Sequence, residues 1–66
     1  MNITVNGTTT RVDDAAPMSA LVQQLGLVGR RIAVEVNEEL IPRSGFNEHC
    51  LNEGDRVEII HAVGGG

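Results

Sequence analysis

Few residues in this chain could do chemistry, and the most unusual of them lie at its end. The run AVGGG follows DRVEIIH without a linker and finishes on the carboxylate of Gly66. At ordinary glycine usage, three in a row at a given place arise by chance in roughly 0.03% of chains. Accident is therefore the weakest account. A disordered end is the default for a terminus, and an appended scar would ordinarily bring Ser, His or protease-site residues with it. Physically, three glycines make a thin thread whose backbone fits a slot too narrow for any other residue. Fully extended, they carry the carboxylate ~10 Å beyond the fold. Ordering such a thread costs entropy, so it is useful only if the carboxylate reacts inside a partner's active site. A carboxylate is a poor electrophile, but its mixed anhydride with AMP has a good leaving group that a thiol, persulfide or amine can displace. With a sulfur donor the product is a thiocarboxylate, a soft nucleophile still tethered to its carrier. On this reading Gly66 reacts, Gly64 and Gly65 fit the slot, and the catalytic groups belong to the partner.

The other candidate groups have blander explanations. Two His and one Cys are too few for a four-ligand structural zinc site, and no metal site is expected. His49 and Cys50 are sequence neighbours on an irregular segment, where side chains rarely aim at each other, and buried Cys is usually inert. Ser19 and Ser44 have no assignable His and Asp partners. Asp13-Asp14 and Glu38-Glu39 fall in turns, where solvation accounts for the charge. Gly64-Gly65-Gly66 precedes no helix and is no phosphate loop. The expectation is a carrier rather than an enzyme.

Composition narrows the class further. With 66 residues there is one domain, which buries only ~60% of the surface its unfolded chain exposes, too little to build an enzyme cleft easily. Hydrophobic residues at 41% and charged residues at 21% are ordinary globular values that argue against disorder. Net charge is −4, all five basic residues are Arg (11, 30, 31, 43 and 56) and Phe46 is the only aromatic residue. That balance disfavours nucleic acid, which wants a basic footprint and stacking platforms. A lone Cys forms no internal disulfide and implies no oxidising compartment. The opening MNITVNGTTTRVDD has neither a basic n-region nor an apolar run, so no signal peptide is expected. No apolar stretch approaches the ~20 residues of a membrane span. A cytoplasmic, monomeric protein with no membrane or nucleic-acid partner is the expectation.

The elements that must position the tail are legible as patterns. NITV and TTTRV are β-prone runs around Asn6-Gly7, a pair that tolerates the positive φ angles of a type I′ hairpin turn. Asp13, Asp14 and Pro17 end the strand and open a helix, with Pro17 predicted at its first position. Met18, Leu21, Val22 and Leu25 form one apolar stripe, and Gly26 ends the helix. RIAVEVN alternates with Ile32, Val34 and Val36 on one face. NEEL is a turn into a short strand that Pro42 cuts off. RSGFNEHCLNEGD is irregular with one helical turn, its core anchors Phe46, Cys50 and Leu51. After Gly54-Asp55 the last strand points Val57, Ile59 and His61 one way and Arg56, Glu58, Ile60 and Ala62 the other. Hairpin, helix, hairpin, loop and strand make a two-layer α+β domain, a mixed sheet with one helix on one face and the other face wet. We expect this domain to span 1–63 and a flexible Gly tail to span 64–66.

Taken together, AVEVNEELIPRS (33–44), LNEGDRVEII (51–60) and AVGGG (62–66) resemble, in order and spacing, the ThiS family of ubiquitin-like β-grasp sulfur carriers, over essentially the whole chain. The resemblance implies a β-grasp fold with the first and last strands as parallel neighbours in mid-sheet. It implies that an E1-like adenylyltransferase of the ThiF type uses ATP and Mg²⁺ to adenylate Gly66, with no cofactor bound to this chain. Sulfur, typically from a cysteine desulfurase, then gives the Gly66 thiocarboxylate, and a thiazole synthase of the ThiG type accepts it to build the thiazole of thiamine. The family often has Asn-Gly where this chain has Asn37-Glu38, so a different turn type is expected there. Phe46 stands where a larger aromatic is frequent.

Docking is expected on the wet face beside the tail, with Ile60 and Ala62 as apolar contacts and Glu58 facing a basic residue. Three rival readings remain open. The small subunit of molybdopterin synthase shares the chemistry but is usually longer, with Pro or bulky residues before its Gly-Gly. A ubiquitin-like interaction module would keep its tail unmodified. A protein modifier would join through Gly66 to lysines on targets, although this chain has no Lys for self-linkage.

Overall fold

The computed structural model describes residues 1–62. Strands β1 (Asn2–Val5) and β2 (Thr8–Arg11) form the expected hairpin. Asn6 and Gly7 take φ of 49° and 83°. Two positive φ values in succession give the type I′ geometry that matches the right-handed twist of the strands.

Helix α1 (Met18–Gln24) begins one residue later than expected, with Pro17 as its cap in extended conformation (φ −71°, ψ 157°). The Met18 N–H donates to the His49 carbonyl (2.8 Å), and Pro17 bridges to Cys50. The helix entrance is thus laid along the 42–51 segment before helical geometry starts. Met18, Leu21 and Val22 are buried as the stripe requires, but Leu25 is 36% exposed. The reason is the exit from the helix. Gly26 at φ 73° turns the chain, its N–H donating to Gln23 O (3.0 Å), while the Leu27 N–H donates to Val22 O (2.9 Å). This pair of bonds is a Schellman motif. It folds Leu27 back onto the core in the place the stripe assigns to Leu25.

Strands β3 (Ile32–Val36) and β4 (Glu39–Ile41) form the second hairpin. Asn37 and Glu38 have φ of 51° and 71°, so this turn is of the same kind as the first and not of a different type. The register Val36↔Glu39 leaves only two residues for the loop, and the strand twist demands positive φ at both. Tertiary pairing overrules the local preference of Glu38, at a cost of about 1–2 kcal/mol. Pro42 then caps a single 3₁₀ turn at Arg43–Gly45.

Strand β5 (Arg56–His61) takes the centre of a five-stranded sheet of order β2-β1-β5-β3-β4. It is parallel to β1 and antiparallel to β3, as the first and last strands were expected to be. The core fills with Ile3, Val34, Val57 and Ile59 from the sheet and Met18 and Leu21 from the helix. Phe46 and Leu51 are buried, but Cys50 is exposed. The Leu51 N–H donates to Ala16 O (2.8 Å) in an extended segment that turns Leu51 inward, and two-residue alternation turns its neighbour out. His61 is exposed too, since β5 outruns the core at its C-terminal end. The architecture is a ubiquitin-like β-grasp.

Candidate functional site

The expected reactive and tail residues, Gly64, Gly65 and Gly66, lie outside the described residues, as does Val63, the last residue of the expected 1–63 domain. What the structure defines is the strand that presents them. The Ala62 N–H donates to Arg31 O (3.0 Å), so the chain is tied to the sheet through its last described residue.

Two asparagines fix that strand from opposite sides. Strand β1 stops at Val5, four residues short of the tail-side end of β5 in register. Asn6 then acts as a further strand residue. Its N–H donates to Val57 O (2.9 Å), its Nδ2 donates to Ile59 O (3.2 Å), and its Oδ1 accepts the Ile59 N–H (2.8 Å). At the other end, the Asn37 N–H donates to Arg56 O (2.8 Å) and its Oδ1 accepts the Arg56 N–H (2.9 Å). Asn37 Nδ2 also donates to Oδ1 of Asp55 (3.1 Å), whose Oδ2 accepts the Asn52 N–H (2.8 Å). These contacts satisfy Asp55, which is buried to 8% exposure. Sequence reasoning saw both asparagines only as turn formers. The available signal was that each of the two tight turns carries Asn at its first position.

Glu58, Ile60 and Ala62 are all exposed, on the outer face and its tail-side end, and Ile60 is 55% accessible. The β3–β5 register adds residues the sequence reading did not include, placing Glu35 opposite Glu58 and Ala33 opposite Ile60. Leu40, opposite Glu35 on β4, is 62% exposed. The face therefore joins apolar surface to two adjacent carboxylates, with Arg56 lining the same depression as Glu35 and Glu58. Among the described residues the one ion pair joins the Met1 amino group to Asp14 (3.4 Å), so neither Glu35 nor Glu58 has an internal cation partner. Like charges placed opposite each other on a sheet repel.

No hydrogen bond joins His49 to Cys50. The Cys50 Sγ contacts Glu48 O (3.9 Å), and His49 Nε2 is buried with no partner. Among the described residues no three His, Cys, Asp or Glu side chains converge as metal ligands. No helix among the described residues is long and apolar enough to cross a membrane.

Sheet order, parallel β1–β5 pairing and a single helix define the class as ubiquitin-like β-grasp. Comparison with known proteins narrows it. The model of the ThiS family matches residues 2–66. The crystal structure of the thiamine biosynthesis protein ThiS from Geobacter metallireducens aligns over 100% of both chains, with a TM-score of 0.83 at 35% identity. Its solution structure gives 0.77, covering 88% of that chain. The uncharacterised ycf40 protein of Porphyra purpurea is 35% identical over all 66 residues, which make up 93% of it. Thiazole synthase of Paramagnetospirillum magneticum is also 35% identical over the whole chain, but the match spans only 20% of that longer protein. The chain belongs to the ThiS family, whose members carry sulfur in thiamine biosynthesis.

Proposed function

We propose that this protein is a sulfur carrier whose Gly66 carboxylate is activated and charged by partner enzymes. An E1-like, ThiF-type adenylyltransferase with ATP and Mg²⁺ would form the Gly66 acyl adenylate and release pyrophosphate. A persulfide from a cysteine desulfurase would attack the carbonyl carbon, forming a C–S bond as AMP leaves. A second thiol then cleaves the resulting acyl disulfide and frees the thiocarboxylate. A ThiG-type thiazole synthase takes the sulfur from it. The chain's own contribution is presentation. The backbone leaving β5 is hydrogen-bonded as far as Ala62, the last described residue. Glu58, Ile60 and Ala62 form the docking surface, with Glu58 and Glu35 together facing a partner guanidinium or ammonium group.

The observation that carries this reading is the ThiS family match through Gly66. A segment similar to the whole chain, inside a protein named thiazole synthase, supports the choice of acceptor. Joining a carrier to its acceptor raises their effective concentration without any new contact. The test is mass spectrometry of the C-terminal peptide after incubation with ATP, the adenylyltransferase and a sulfur donor. The expected result is replacement of oxygen by sulfur at Gly66, in a product whose mass shifts again on alkylation of the thiocarboxylate. Peptide-level assignment is needed because oxidation of Met1 or Met18 adds nearly the same mass. A mass gain confined to the methionines would end the proposal.

A further inference from the structure

The end of the sheet at which Ala62 lies is rich in arginine. Net charge is −4, yet three of the five arginines, Arg30, Arg31 and Arg43, gather there. The Arg43 guanidinium Nη2 donates to Arg30 O (2.7 Å), and Arg31 O accepts the Ala62 N–H (3.0 Å). All three are exposed, and among the described residues none pairs with a carboxylate. Acidic groups collect at the opposite end of β5, where Asp14 meets the Met1 amino group and Glu53 Oε1 accepts the Asn2 N–H (3.0 Å). Between Arg30 and Arg43 opens a notch of about 290 Å³, walled by Val22, Leu27, Val28 and Phe46. Ile32, also in its wall, lies opposite His61 in the sheet, so the notch adjoins the root of the tail. Val28 beside it is 68% exposed.

At about 290 Å³ the notch lies at the small end of the range for ligand sites and readily admits an apolar side chain. Arg43 spends one donor on Arg30 and keeps the rest of its fork, which suits bidentate pairing with carboxylate. We infer that the notch and its three arginines form a second docking surface, which takes an acidic segment of the activating enzyme: one apolar side chain in the notch, flanked by carboxylates on Arg30, Arg31 and Arg43. The inference rests on the proposed reading of that enzyme as the carrier's partner. The outer sheet face would bind on one side of Ala62 and the notch on the other, so the domain would be held against the enzyme at two places.

The test uses the full chain and a ThiF-type adenylyltransferase, with affinity from calorimetry and KM and kcat from ATP–pyrophosphate exchange. Arg30→Glu with Arg43→Glu, and separately Arg31→Glu, should each raise Kd and KM for the carrier about tenfold, with kcat at saturation changed less than about twofold. Arg30→Lys with Arg43→Lys, which keeps the charge and loses the fork, should recover only part of the affinity, and added salt should weaken the wild type more than the reversed variants. If the double variant does not fold, Arg31→Glu carries the test, because the Arg31 side chain makes no hydrogen bond in the described fold. Unchanged Kd and salt dependence in the reversed variants, with normal adenylation, would overturn the notch and leave the sulfur-carrier reading intact. Charge-sensitive binding of a wild type that is never adenylated would uphold the notch and sink that reading. Capture of heparin by the wild type, lost in the variants while enzyme binding persists, would reduce the arginines to general anion attraction and overturn the inference.

Discussion

At the scale of single residues, Asn6 and Glu38 occupy comparable positive-φ positions for opposite reasons. Asn6 uses its conformation, since two hydrogen bonds from its side-chain amide continue the β1 edge along Ile59. Glu38, at φ 71°, makes no side-chain hydrogen bond in the described fold and bears the strain without return. Two glycine substitutions should therefore move stability in opposite directions. Glu38→Gly should stabilise by about 1 kcal/mol by removing the left-handed penalty. Asn6→Gly keeps the backbone geometry but deletes both bonds, and should destabilise by about 1–2 kcal/mol. Urea denaturation of the two variants checks this directly, and equal shifts of the same sign would refute the role given to Asn6.

At the scale of elements, the exposed face of β3 and β5 looks selected for something other than stability. Glu35 and Glu58 face each other in register, although opposite charges there would contribute roughly 0.2–1 kcal/mol. Glu58→Lys should accordingly raise the unfolding midpoint slightly while weakening association with the adenylyltransferase. A melting curve and a binding titration on the same sample separate the two effects. A variant that is less stable and binds equally well would remove Glu58 from the docking surface. The tail makes a complementary prediction. Gly65→Ala should fold with an unchanged melting midpoint yet slow adenylation, because a methyl group obstructs a slot sized for glycine; equal adenylation rates would count against the narrow channel.

At the scale of the whole molecule, charge is unevenly arranged along β5. Asp14, Glu53 and Asp55 lie where β5 starts, beside Arg56, and Arg30, Arg31 and Arg43 lie where it ends; the strand between is clamped on both sides. Removing Gly65 and Gly66 should therefore leave the fold and its thermal transition intact while abolishing adenylation, measured as loss of pyrophosphate exchange. Survival of thiazole synthesis in a cell carrying only the shortened chain would contradict the carrier role.

Much of this organisation was written in the chain itself. The Asn6-Gly7 turn, the Met18, Leu21 and Val22 stripe, the alternation of β3 and β5 and the Gly-rich end are local patterns, because period and turn chemistry act over a few residues. What escaped the sequence depends on partners distant along the chain. Leu25 yielded its place to Leu27 because a helix exit is completed by hydrogen bonds, and Cys50 turned outward because Leu51 pairs with Ala16. The turn at Glu38 followed the register of its strands rather than its own preference. The clamp of Asn6 on Ile59, the facing of Glu35 with Glu58 and the contact of Arg43 with Arg30 join residues 13 to 53 positions apart. Composition fixes which charges and amides exist; only the pairing of β5 between β1 and β3 decides which of them meet, because hydrogen bonds and Coulomb forces act over ångströms in space, whatever the separation along the chain.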